Sequence, residues 1–201
     1  MPTLKVHLLP ELVAPEQLRD HAVVVIDVLR ATTTIAFALA AGASEVIPCL
    51  EVDDARQLAA KYPAGTVLLG GERLGVRIEG FDLGNSPTEY TTDKVAKKTI
   101  IFTTTNGTRA MERCRQARRV LLGALVNRRA IAAALAQETN VDIVCAGTRG
   151  EVGLDDALTA GAIAEEVLMQ WISHVPEVND QTRIAMDAWG RGFDRSPTER
   201  G

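Results

Sequence analysis

The chain predicts an α/β fold, a three-layer α/β/α sandwich around a mainly parallel sheet, and three observations carry that prediction. Short β-branched runs too apolar to expose on either face recur at Val23–Ile26, Thr99–Thr103 and Val141–Cys145, as expected of buried parallel strands. Each run leads into a small polar loop, IDVLRATTT, IFTTTNGT and IVCAGTRG. Each loop leads into a segment of helical composition, and in the first two cases another apolar run, ASEVIPC or ARRVLLG, follows the helix at nearly the same offset. Strand, loop, helix and strand in that order imply parallel strands whose loops gather at one edge of the sheet.

In chain order, Thr3 to Leu9 alternates as a first strand, and Pro10 to Asp20 reads as a loop with a short helix. Val23–Ile26 is the central strand, with Asp27 at its carboxyl end. Ile35 onward is helical and closes at Gly42, so Thr32, Thr33 and Thr34 fall at the helix start. Ser44 to Leu50 is a strand, and Val52 to Lys61 an amphipathic helix with Asp53 as its cap. After a break at Tyr62 to Gly65 and a short strand at Val67 to Gly71, the segment GGERLGVRIEGFDLGNSPTE has little periodicity and reads as a long loop. A strand at Thr99–Thr103 precedes a helix from Arg109 to Gln116 and a strand at Arg119–Leu122. The Val141–Cys145 strand precedes a last long helix at Ala157–Gln170, opened by Asp155 and Asp156.

At 201 residues the chain suits one α/β domain with a proper core, 1–201. A net charge of −4 argues against nucleic-acid binding, which needs a basic face. Cys49, Cys114 and Cys145 lack paired spacing, so neither a disulfide framework nor a zinc site is expected. With no signal peptide and no apolar run approaching a membrane span, a cytoplasmic protein without membrane contact is expected. A homodimer is the expected assembly for a small α/β enzyme.

The chemistry concentrates in the loops. In open α/β sheets ligands collect outside the carboxyl ends of the strands, where Asp27 stands. Asp27 suits a metal or a proton, and Arg30 adds a rigid positive fork. Hydroxyls and free N–H groups at the helix start favour an anion, as does the hydroxyl-rich, amide-rich run Thr103–Thr108, which reads equally well as a turn and cap. Asp155 and Asp156 are ordinary helix-terminus carboxylates unless they converge with Asp27 and Glu72. Familiar phosphate cassettes are missing: there is no Gly-Lys-Ser/Thr loop and no closely spaced glycines after Asp27. Leu29 occupies the place of a second aspartate, and Arg149 is four residues after Cys145 rather than six. Cys145 reads as a small buried hydrophobe, His7, His21 and His174 as non-ligands, and the arginines from Arg109 to Arg119 as a solvated helix face.

The motifs IDVLRATTTI, GGER with GFDLGNSP, TTTNGT, and CAGTRG with DDALTAG, in this order between Val6 and Leu168, resemble the 2-phosphosulfolactate phosphatase family. The resemblance implies an α/β/α layered, Mg²⁺-dependent acid phosphatase that converts 2-phosphosulfolactate to sulfolactate and phosphate in coenzyme M biosynthesis. On residue chemistry within that frame, Asp27 and Arg30 are the expected catalytic residues, Asp27 as metal ligand, general base or nucleophile, and Asp27, Glu72 and Asp156 are expected to supply oxygen ligands or water contacts to one Mg²⁺. Arg30, Thr32, Thr33, Asn106, Gly107 and Thr108 would hold the phosphate of the small anion, Asn85 and Ser86 would complete a pocket that also includes Thr105, Gly147 and Thr148, and Arg149 would meet the carboxylate or sulfonate. Two features depart from the family: Asp155 stands where glutamate is usual, and the carboxyl-terminal part is shortened, with 180–201 reading as a disordered polar tail. Other readings of the same residues are a non-catalytic anion-binding module and a phosphatase for another phosphorylated hydroxy acid.

Overall fold

Period-two alternation in the second strand sets how the layers stack. In the computed structural model, which describes residues 1–171 and 175–193, β1 spans Thr3–His7 and β2 spans Ala22–Ile26, the latter with all five side chains buried. Ala22, Val24 and Ile26 join one apolar cluster while Val23 and Val25 join another, because successive strand side chains point to opposite faces. A sheet whose central strand is apolar on both faces must be covered on both.

The parallel reading holds, and the strands divide into two sheets. With β7 (Arg119–Gly123), β8 (Asn140–Cys145) and β9 (Glu177–Val178), the first sheet runs β7-β2-β8-β1-β9, parallel throughout. The second contains β3 (Glu45–Pro48), β4 (Val67–Arg73), β5 (Val76–Arg77) and β6 (Thr99–Thr103) in the order β3-β6-β4-β5. It is parallel except for the β4–β5 hairpin.

Helices fill the spaces between and outside the sheets. Helices α1 (Ala31–Ala40) and α4 (Gly107–Arg113) send Ala31, Ile35, Ala38, Ala110 and Met111 into a cluster that also holds Val23 and Val25 of the first sheet and Ile100 and Phe102 of the second. Helix α2 (Val52–Ala59) packs Ala55 on the far face of the second sheet, against Ile101. A one-turn helix, α3 (Thr92–Val95), contributes Val95 to the middle layer. Helices α5 (Arg128–Leu135), α6 (Leu154–Gln170) and α7 (Asp180–Phe193) lie on the far side of the first sheet, where α5 supplies Ile131 and Leu135 and α6 supplies Ala160, Ile163 and Val167.

Several local expectations change. Helix α1 begins at Ala31, so Thr32, Thr33 and Thr34 sit inside its first turn. The long loop after Gly71 carries the end of β4 and the β5 hairpin, and Asp53 pairs with Arg56 while Glu51 occupies the N-cap position of α2. The first fourteen residues of the expected tail form α7, whereas 194–201 and His174 lie outside the described residues. The physical reason for α7 is an edge to be covered. Strand β9 pairs with β1 only at Thr3 and Leu4; beyond that, Val6 N–H donates to Thr182 Oγ1 (2.9 Å) and Val6 C=O accepts from Asn179 Nδ2 (2.8 Å), so the buried backbone is satisfied. Gly161 lets α7 approach closely, since a Cβ there would meet the Ala185 carbonyl. Among the described residues no helix is long and apolar enough to cross a membrane.

Candidate active site

Strands from both sheets deliver their carboxyl ends to one rim. Asp27, Leu29 and Arg30 follow β2; Glu72 lies at the end of β4, with Leu74 and Gly75 in the hairpin turn behind it. Thr105 and Asn106 follow β6, Thr148 and Arg149 follow β8, and Asn85 comes from the loop after β5. Together these residues enclose a cavity of about 260 Å³ between the two sheets.

Asp27 is 8% exposed and anchored by amides. The Ala31 N–H donates to Oδ1 at 3.3 Å, and the Gly107 N–H donates to the carboxylate as well. Only glycine fits at 107, because a Cβ there would stand 2.7 Å from Asp27 Oδ2 and 2.8 Å from the Ala31 Cβ. Burial, with smaller contributions from the Glu72 and Asp155 charges, pushes the Asp27 carboxyl up to about 6 against the two amide donors that hold it down. Glu72 is equally fixed: Thr105 N–H reaches Oε1 at 2.7 Å and Gly75 N–H reaches Oε2 at 2.6 Å.

Asp156 does not join them. It lies outside the cavity, 4% exposed, with Oδ1 accepting from Val28 N–H and Oδ2 from Gly147 N–H, both at 2.9 Å. It ties the β2–α1 loop to the β8–α6 loop, and burial with the Asp27 charge pushes its carboxyl up to about 7. Of the three carboxylates expected to converge, Asp27 and Glu72 share the cavity and Asp156 lies apart from it. No group of three or more His, Cys, Asp or Glu side chains is placed to hold a metal among the described residues.

The expected phosphate contacts divide in the same way. Asn85, Thr105, Asn106, Thr148 and Arg149 line the cavity with Arg30. Thr32, Thr33 and Thr108 do not, because their hydroxyls donate to the carbonyls of Asp27 (2.9 Å), Val28 (2.7 Å) and Thr104 (2.8 Å), a common fate of threonine in a first helical turn. Ser86 bonds to Thr88, while the amides of Gly107 and Gly147 serve Asp27 and Asp156. Asn85 is 7% exposed, and its Oδ1 has no hydrogen-bond partner. A buried amide oxygen left open toward a cavity asks for a ligand or water. Leu74 and Gly75 are site residues that the sequence reading missed. Both have positive φ, 53° and 82°, and form a two-residue hairpin turn whose signal is the Leu-Gly pair between Arg73 and Val76.

The remaining sequence candidates are structural. Cys145 is 1% exposed, and burial holds its thiol well above the ordinary range, which suits packing rather than nucleophilic attack. His7 Nε2 and His21 Nδ1 both meet the buried Asp142, at 2.7 and 2.6 Å.

Comparison with known sequences follows the same map. Residues 7–199 match the family described as 2-phosphosulpholactate phosphatase. A protein of Caldanaerobacter subterraneus subsp. tengcongensis named "Probable 2-phosphosulfolactate phosphatase" is 53% identical over 152 residues, covering 75% of this chain and 63% of its own length. Proteins of the same name from Synechococcus sp. (strain CC9605) and Symbiobacterium thermophilum are 45% and 46% identical, over 87% and 88% of this chain and 73% and 75% of their own lengths. The chain thus spans 63% to 75% of the length of these relatives, less than two thirds of the Caldanaerobacter protein.

Proposed function

The chain belongs to the 2-phosphosulpholactate phosphatase family, and from that premise we propose that it is a Mg²⁺-dependent phosphomonoesterase acting on 2-phosphosulfolactate, releasing sulfolactate and inorganic phosphate as in coenzyme M biosynthesis. The observation that carries the reading is the convergence of Asp27, Glu72, Arg30 and Arg149 on one cavity between the two sheets.

Magnesium suits the donor set. Asp27 and Glu72 face the same cavity, repel one another electrostatically and have no cationic side chain paired with them among the described residues. Mg²⁺ is commonly held by one or two carboxylates with substrate phosphate oxygens and water completing its shell. Asp27 and Glu72 would hold it, with Asp156 fixing the loops that carry Asp27. When bound there, the ion would supply neutralisation of the phosphate charge and would make a coordinated water more acidic.

The rest of the site binds and orients. Arg30 presents its guanidinium to the cavity free of any carboxylate partner among the described residues, so its fork is available to two phosphate oxygens. Asn85 and Asn106 add polar contacts that fix the ester in the cavity. Amides from Ala31, Gly107, Gly75 and Thr105 hold the two carboxylates in place before substrate arrives, and that preorganisation lets charge neutralisation act without reorganisation.

The test is phosphate release with and without Mg²⁺ from 2-phosphosulfolactate, phospholactate, phosphoglycerate and an aryl phosphate. Metal-dependent release, fastest from 2-phosphosulfolactate, is expected. A folded protein releasing phosphate from none of the four would overturn the reading in favour of a binding module.

A further inference from the structure

A second cavity, about 390 Å³, adjoins the first across a wall shared by Thr105, Asn106 and Arg149. Its far side is formed by Arg109 and Arg113, four residues apart on α4 and therefore on one helix face. The expectation of a solvated helix face holds for Arg109, which also lines this cavity, and fails for Arg113. Arg113 is half-buried: Nη2 donates to the Val13 carbonyl at 3.0 Å, while its buried Nε has no partner. Arg109 is exposed, and among the described residues neither it nor Arg113 or Arg149 has a carboxylate partner. Several other arginines are paired, Arg115 with Glu112, Arg118 with Glu138 and Arg128 with Glu166. Glu11 is the single acidic side chain in the lining, so the cavity keeps a net positive charge.

Holding three guanidiniums together with a single carboxylate in the same lining costs stability unless an anion fills the space. We infer that this cavity is a specificity subsite, in which Arg109 and Arg113 receive a second oxyanion carried by the same molecule as the phosphate, a sulfonate or a carboxylate, with Arg149 bridging the two cavities. The enzyme then selects phosphate esters by their remote acid group. Planar guanidinium forks match either oxyanion, so the two are told apart by substrate rather than by geometry. The inference rests on the phosphatase reading for its turnover test and stands apart from it in binding.

Steady-state kinetics of the wild type, Arg109→Gln and Arg109→Lys test it. The substrates are 2-phosphosulfolactate, phospholactate (carboxylate only) and phenyl phosphate (no second acid group). The ratio of kcat/KM for 2-phosphosulfolactate to that for phenyl phosphate should fall about tenfold or more in Arg109→Gln, mainly through KM, and recover in part in Arg109→Lys. A comparable fall for phospholactate assigns the cavity to the carboxylate, and an unmoved phospholactate ratio assigns it to the sulfonate. Calorimetric binding of sulfolactate, which carries no phosphate, should weaken about tenfold in Arg109→Gln. A wild type that hydrolyses nothing but loses sulfolactate affinity on this substitution breaks the phosphatase reading and keeps the subsite. An active enzyme whose substrate ratio and sulfolactate affinity are both unmoved breaks the subsite and keeps the phosphatase.

Discussion

Two buried aspartates of the first sheet, Asp142 within β8 and Asp27 just past β2, differ in what their carboxylates meet. Asp142 in β8 is 3% exposed and meets two imidazole nitrogens, one on each oxygen. Asp27, just past the end of β2, is 8% exposed, leans on two backbone amides and faces Glu72 across a cavity. The first has an imidazole partner on each oxygen. The second is held in position but left short of positive charge. Fully satisfied buried groups rigidify a fold, whereas groups stabilised in place and under-neutralised are available to a ligand.

The largest expected effect that would break this comparison is on turnover. Asp27→Asn should lower Mg²⁺-dependent phosphate release on the order of a hundredfold or more, with the far-UV circular dichroism of the wild type; near-normal release would remove Asp27 from the site's chemistry. Asp142→Ala should show the opposite profile. Two imidazoles then lose their common acceptor inside the middle layer, a change expected to cost about 2–4 kcal/mol in urea unfolding, while turnover per folded molecule stays within about twofold of wild type. Loss of turnover without loss of stability would move Asp142 into the active machinery.

Finer effects sharpen the contrast. Arg30→Lys keeps the charge but loses the fork, and should cost about tenfold in kcat/KM. In chelator, the raised carboxyls make a pH prediction whose sign is definite. The folded protein binds more protons at Asp27 than the unfolded chain does between the ordinary carboxyl value of 3.8 and about 6, and at Asp156 between 3.8 and about 7. Their contribution to stability is therefore full below 3.8 and is lost as pH rises through 6 to 7. Asp27→Asn should be more stable than wild type by about 1–2 kcal/mol at pH 7.5, and the difference should vanish near pH 4. Denaturant midpoints at the two pH values check it, and a difference of opposite sign would refute the under-neutralised state of Asp27. The smallest effect is expected at Cys145→Ala, about 1 kcal/mol in stability with turnover retained.

Much of this was legible in the sequence because strands and helices announce themselves locally. The apolar runs at Val23–Ile26, Thr99–Thr103 and Val141–Cys145 are strands, and the polar loops after them do converge on one rim with Asp27, Glu72 and Asn106. Where the reading fell short, competition for hydrogen bonds decided the outcome. Thr32, Thr33 and Thr108 carry the right chemistry for an anion, but each hydroxyl finds a carbonyl within its own turn. Asp156 has the right charge for a metal, but two loop amides claim its oxygens first.

The amino-acid order by itself determined the α/β character, the element sequence and the identity of the loops that matter, since side-chain periodicity and strand-end polarity are properties of neighbouring residues. Only the tertiary structure decided that the strands form two sheets, that α7 closes the β1 edge, and that Arg109 and Arg113 face a cavity beside the active rim. Those outcomes depend on which distant backbone groups and charges meet, and no local pattern encodes the partner that a buried polar atom will find.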